Sequence, residues 1–148
     1  MKITEVKENK KKYIDLLLLA DEDERMIDRY LERGTMYVIE NGGVAVGECV
    51  VTDEGGGVLE IKNIAVFPEH QGRGYARALV SFLKERYKGS YSVLEVGTGD
   101  SPLTVPFYEK CGFVRSRILP NFFTDNYDHP IYECGVKLVD MVYLVTEL

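Results

Sequence analysis

The segment Ile64-Ala65-Val66-Phe67-Pro68-Glu69-His70-Gln71-Gly72-Arg73-Gly74-Tyr75-Ala76 constrains this chain more than any other stretch. An apolar β-type run stops at a proline, which has no N–H to give to a sheet. Gly72 and Gly74 then mark a tight turn. Directly after it, Arg77-Ala78-Leu79-Val80-Ser81-Phe82-Leu83 has helical spacing. A strand, a glycine turn and a helix start leave several backbone N–H groups without partners and add the positive end of the helix dipole. Such a junction is an anion cradle, and a phosphate or pyrophosphate suits it best.

The rest of the chain builds a sheet around that junction. Ile3 to Val6 alternates as a first strand, and Lys10 to Ala20 and Asp21 to Arg33 read as two helices. Asp21-Glu22-Asp23-Glu24 puts acids where a helix start favours them. Met36 to Glu40 and Val44 to Thr52 are strands, and Asn41-Gly42-Gly43 between them signals a hairpin. Val58 to Phe67 completes an antiparallel meander. A helix runs from about Gly74 to Tyr87, its Leu79, Phe82 and Leu83 on one face. Tyr91 to Gly97 is the next strand, able to pair in parallel with Val58 to Phe67 through a right-handed crossover. Pro102 to Lys110 reads as a short helix with Ser101 as N-cap, stopped by Gly112. Phe113 to Leu119 and Val136 to Leu148 close the sheet, separated by the aromatic segment Pro120 to Gly135. The expected fold is α/β of the α+β type, a mixed, mostly antiparallel central sheet with helices on both faces.

Composition narrows the function classes. The chain has 148 residues, which suits one domain with its own core. Its net charge of -6 and lack of a basic block argue against nucleic acid as a partner and favour a cationic or amine-bearing substrate. Cys49, Cys111 and Cys134 are scattered and lack zinc spacing, so they read as reduced, mostly buried thiols. Leu16 to Ala20 is too short to span a bilayer, and Met1-Lys2-Ile3-Thr4-Glu5 is no signal peptide. The expectation is a cytoplasmic protein with no metal and no membrane partner.

A Gly-x-Gly turn alone does not name its ligand. The Walker A pattern is absent, and the dinucleotide fingerprint fails because Arg77 stands at its third glycine. The wider pattern is more specific. Gln71-Gly72-Arg73-Gly74-Tyr75-Ala76 fits Gln/Arg-x-x-Gly-x-Gly/Ala and follows Ile64-Ala65-Val66. Leu94-Glu95-Val96 and Phe107-Tyr108-Glu109-Lys110-Cys111-Gly112-Phe113 come later. Together these resemble the GNAT superfamily of acetyl-CoA-dependent N-acetyltransferases. The resemblance implies acetyl-CoA as co-substrate, its pyrophosphate on the turn and its pantetheine arm along Ile64, Ala65 and Val66. It also makes Gln71, Gly72, Arg73, Gly74, Tyr75, Ala76, Phe107 and Lys110 cofactor-binding candidates. Arg73 and Lys110 read equally well as solvated side chains. Ser101 and Thr104 stand where family members often carry Asn and Ala, so Ser101 takes the place of a pantetheine contact.

The implied reaction is direct attack of a neutral amine on the thioester. An alkyl ammonium must first lose a proton, which a carboxylate can accept directly or through water. The resemblance places the general acid at Tyr108, as proton donor to the departing CoA thiolate. Glu60 matches the catalytic glutamate of histone-type members, and Glu95 is nearer the ribosomal-protein N-terminal branch. Simple alternation puts Glu60, Lys62 and Ile64 on one face. The strand end at Val66 is the candidate oxyanion donor. The acceptor pocket is expected from Asp21 to Arg33 and Pro120 to Gly135. There Phe122, Phe123, Tyr127 and Tyr132 supply walls or pack on themselves, and Asp125, Asp128 and Glu133 supply charge suited to a cation. His129 is a candidate lining residue, whereas His70 reads as solvated. The acceptor is expected to be a small amine, with a protein N-terminus or lysine as the alternative, and a non-catalytic CoA-binding module as the rival from another class. The final strand is a candidate edge for a homodimer.

Overall fold

The computed structural model describes residues 1–148. A seven-stranded sheet forms from β1 (Lys2–Val6), β2 (Thr35–Asn41), β3 (Val44–Asp53), β4 (Val58–Val66), β5 (Val93–Gly99), β6 (Val114–Leu119) and β9 (Met141–Glu147). Its order is β1-β2-β3-β4-β5-β9-β6. All pairings are antiparallel except β4 with β5, where Val58 to Ile61 run beside Val93 to Val96. Helices α1 (Ile14–Ala20) and α2 (Glu24–Asp28) cover one face; α3 (Tyr75–Tyr87) and α4 (Val105–Lys110) cover the other. The short helix α5 (Phe122–Asn126) and a two-stranded hairpin, β7 (Tyr132–Glu133) with β8 (Val136–Lys137), lie between β6 and β9.

Each face has an apolar reason to exist. Leu79, Val80 and Leu83 of α3 pack on Ile39, Cys49, Val51, Leu59, Ile61 and Leu94. On the other face Leu17, Ile27 and Leu31 pack on Met36, Val38 and Val50. Complete burial of each such side chain contributes about 1.5–3 kcal/mol, so the helices are held by the sheet rather than by their own propensity. The predicted hairpin forms as a two-residue turn, with Gly42 and Gly43 at φ +62° and +81°.

Several boundaries differ from the sequence reading. The second helix is only Glu24–Asp28, because the buried Lys10 ammonium donates to the carbonyls of Leu31 and Gly34 at 2.9 and 2.7 Å and ties the following turns off. The helix expected from Pro102 begins at Val105. Residues 101–104 turn instead, with Thr104 Oγ1 donating to the Gly99 carbonyl at 2.9 Å and Pro106 in the first helical turn. The last strand is no edge: β9 lies between β5 and β6, so β6 is the free edge and the argument for a dimer through β9 falls. Cys134 is exposed rather than buried.

Candidate active site

The site begins with a break in the sheet. Opposite β3, the register steps from Val50↔Asn63 to Val51↔Ile61, which leaves Lys62 as an extra residue in β4. Such a bulge bends its strand and increases the local twist. β4 and β5 accordingly stay paired only as far as Ile61 and Val96. Beyond that fork, Lys62 to Val66 keep β3 on one side and have no strand on the other. A cavity of about 500 Å³ opens there, lined by Ile61 to Val66, Val96 to Thr98, Leu19, Ala20, Leu103, Thr104, Phe107, Tyr108 and Glu133. The bulge also moves side chains: Ile64 packs with the α3-side core, while Asn63 points to α1 and donates to the Leu17 carbonyl at 3.0 Å. Glu60 and Ile64 therefore do not share a face.

At one end of the cavity the glycine turn presents its backbone. Gly72 and Gly74 sit at φ +76° and +85°, and a Cβ on either would touch nothing. Glycine is required there by backbone conformation and not by crowding. No backbone hydrogen bond is donated by the N–H groups from Gly72 to Arg77. Gln71 Nε2 donates to the Val66 carbonyl at 3.1 Å and so braces the turn against the strand end. The Tyr75 ring belongs to the core, its hydroxyl accepting from Asn41 Nδ2 at 2.8 Å, so only its backbone faces the turn. Gly72, Gly74 and Ala76 line the cavity, and Arg73 does not: its side chain is exposed. Arg77, one helical turn on, lines it instead. His70 also lines the cavity, with Nδ1 shielded from solvent and unpartnered, so it is not the solvated residue expected.

Tyr108 stands across the fork, on α4, packed edge-on against Phe107 and Phe113. Burial, with minor contributions from Cys111 and Glu133, pushes its phenol well above its ordinary value, so it remains protonated and able to donate. Phe107 lines the cavity beside it. Ser101 does not line it. Its hydroxyl donates to Glu133 Oε1, while its oxygen accepts from the Leu103 N–H at 3.2 Å. Lys110 is exposed at the far end of α4, outside the cavity wall.

The two candidate bases prove to be neighbours. Glu60 and Glu95 are paired residues of the parallel register, one step behind the fork and outside the cavity lining. Glu60 is 5 % exposed. Burial, then a hydrogen bond with Glu95, pushes its carboxyl up to about 7, and Lys62 at 2.9 Å opposes the shift. Glu95 Oε1 accepts from Arg117 Nη2 at 3.3 Å, and that guanidinium lies 3.7 Å from the Tyr143 ring centroid. Lys62 lines the cavity and is thus the link between it and Glu60. A third carboxyl, Glu48, is wholly buried on β3 opposite Ala65, without a hydrogen-bond partner for either oxygen. Burial pushes it far up, which favours its neutral form.

Of the acceptor-side candidates, Phe122, Phe123 and Tyr127 pack on one another, and Tyr132 is exposed. His129 is outside the cavity. It sits on the surface between Asp128 and Glu22, at 2.6 Å from each, and both carboxylates raise its pKa. No group of three His, Cys, Asp or Glu is placed to hold a metal ion, and no helix is long and apolar enough to cross a membrane.

Residues 32–115, which hold the strand fork, the glycine turn and Tyr108, match the family model of the acetyltransferase (GNAT) domain. The chain belongs to the GNAT acetyltransferase family and is an acetyl-CoA-dependent acyltransferase. It is similar to the uncharacterized N-acetyltransferase YvbK of Bacillus subtilis, 38% identical over 136 residues, covering 90% of this chain and 88% of that one. It is also similar to a GNAT family acetyltransferase from Elizabethkingia anophelis solved with acetyl-CoA bound. There the TM-score is 0.94 and the identity 36%, over 99% of this chain and 97% of the other. An IAA acetyltransferase from Bacillus cereus matches with a TM-score of 0.92 and 39% identity, covering 99% of each chain.

Proposed function

We propose that this protein transfers the acetyl group of acetyl-CoA to the primary amine of a small molecule by direct attack on the thioester at the β4–β5 fork. One observation carries the reading: the free edge of β4, Tyr108, and Gly72, Gly74, Ala76 and Arg77, whose N–H groups donate no backbone hydrogen bond, all line a single cavity. The pyrophosphate is assigned to those N–H groups, with Arg77 beside them. The pantetheine arm lies along Ile64 to Val66 as a substitute strand, hydrogen-bonding to backbone that has no partner on that side. That the similar acetyltransferase from Elizabethkingia anophelis was solved with acetyl-CoA bound supports acetyl-CoA as the ligand of this cavity.

The amine must reach the thioester neutral. Glu60, poised near 7, accepts its proton through water at the fork, because it stands behind the cavity wall rather than in it. The nitrogen then bonds to the carbonyl carbon, and backbone N–H at the Val66 end of β4 stabilises the oxyanion. Collapse breaks the C–S bond: the Tyr108 hydroxyl supplies the proton to the sulfur, and the surplus proton on nitrogen returns to the Tyr108 oxygen. The test is to incubate the protein with acetyl-CoA and a panel of alkylamines, arylalkylamines, polyamines and short peptides, following free thiol and the mass of the product. Acetylated small amines are expected. Acetylation of peptides alone would move the assignment to protein N-termini or lysines, and tight CoA binding with no acetylated amine would make the chain a binding module.

A further inference from the structure

Glu133 is the only carboxylate among the residues that line the cavity. Its position is built rather than incidental. Cys134 and Gly135, at φ +50° and +74°, form a two-residue turn that fixes Glu133 opposite Val136. The hairpin is seated by Leu138, buried with Phe123 and Ile131, and the Leu138 N–H donates to the Ile131 carbonyl at 2.8 Å. Gly99 allows this seat, because a Cβ there would stand 2.6 Å from both Leu138 methyl carbons. Ser101, itself buried, then donates its hydroxyl to Glu133 Oε1. Glu133 takes part in none of the molecule's ion pairs, so no protein cation neutralises it. Asp128, by contrast, is held by His129 and Arg25 on the surface, and Asp125 is exposed.

We propose that Glu133, oriented by Ser101, is the residue that binds the acceptor's ammonium group beside Tyr108, which makes the site selective for cationic primary amines over neutral nucleophiles of the same shape. This rests on the acetyl-transfer reading of the cavity. A carboxylate with one oxygen held by a hydroxyl keeps its second oxygen for a charge-assisted N–H···O bond. A neutral acceptor would leave that oxygen desolvated and unpaired, which is the usual source of strong discrimination. Glu60 removes the proton; Glu133 holds and orients the nitrogen, so the two carboxyls have separable effects.

The test uses spermidine and phenethylamine as probes, with 2-phenylethanol as the neutral isostere. Steady-state kinetics and calorimetry on the CoA-saturated protein are compared for wild type, Glu133→Gln and Ser101→Ala. Glu133→Gln is expected to raise the amine KM about 10-fold or more and to abolish the calorimetric binding preference for phenethylamine over 2-phenylethanol. Ser101→Ala gives a smaller rise in the same direction, and the KM for acetyl-CoA stays within about twofold in both. An unchanged amine KM in Glu133→Gln, or an acetyl-CoA KM that rises in parallel, overturns the assignment. If the wild type acetylates neither amine yet binds one in a Glu133-dependent way, the transfer reading fails while ammonium binding at Glu133 stands. Failure of any probe to bind in a Glu133-dependent way overturns it.

Discussion

The two halves of the cavity, proposed for the donor and for the acceptor, are made in different ways. The donor half, from Ile64 to Arg77, is one continuous stretch in which strand, turn and helix follow each other without a break. The acceptor half is gathered from Leu19 and Ala20, Lys62, the α4 start and the β7–β8 hairpin, which meet only after folding. The donor half depends on backbone conformation at two glycines and is therefore specified locally. The acceptor half depends on tertiary seats, such as Leu138 against Gly99, that no local pattern announces. Two sites made in these two ways can thus share a single cavity yet change independently.

That independence can be broken by experiment. Tyr108→Phe should reduce kcat by about 10²-fold or more while acetyl-CoA affinity stays within about twofold, because the hydroxyl acts on the leaving thiolate and not on binding. Stopped thiol-release assays with parallel titration of acetyl-CoA check this; an unchanged kcat removes Tyr108 from the chemistry. Glu60→Gln comes next. Because the folded carboxyl sits near 7, the base form accumulates as pH rises, so wild-type kcat/KM should climb through about pH 7. The Gln variant should lose that limb and about 10²-fold in rate at neutral pH. A retained limb assigns it to another group.

Gly74→Val should weaken acetyl-CoA binding by about 30-fold, since a β-branched residue at φ +85° meets a penalty near 2 kcal/mol and turns the N–H groups away. Gly74→Ala should be milder but still measurable, because alanine lacks the β-branch yet meets the same positive φ. A loss with Val and none with Ala would mean that space, not conformation, is what glycine supplies. The smallest effect concerns stability. Burial raises the Glu48 carboxyl, so its protonated form is favoured in the folded state. Stability is then greatest below the unfolded value of about 4.3 and falls as pH rises toward the raised folded value. Glu48→Leu should remove that slope and add about 1–3 kcal/mol at pH 7.5, read from denaturant unfolding. A loss of stability would show that the carboxyl has a partner that burial conceals.

The difference between the halves also explains what was legible. The Asn41-Gly42-Gly43 hairpin, the parallel crossover around α3 and the glycine turn follow from turn chemistry and periodicity. The bulge at Lys62 does not, and it alone changes which residues share a face with Glu60. Ser101 reads as a helix cap beside Pro102, but its hydroxyl is engaged by Glu133, 32 residues later, and the helix starts at Val105. The final strand alternates imperfectly, and that pattern does not reveal its place between β5 and β6. Glu133 was visible only as one of several acids in an aromatic loop. The Cys134-Gly135 dipeptide between Tyr132-Glu133 and Val136-Lys137 was the available signal that the loop contains a hairpin.

A crystal structure of the CoA complex tests the central claim most directly. The account predicts the pyrophosphate on the N–H groups of Gly72 to Arg77, the pantetheine arm beside Ile64 to Val66, and the sulfur at the fork within hydrogen-bond reach of the Tyr108 hydroxyl. A pyrophosphate bound elsewhere, or a sulfur that emerges away from Tyr108, would contradict it.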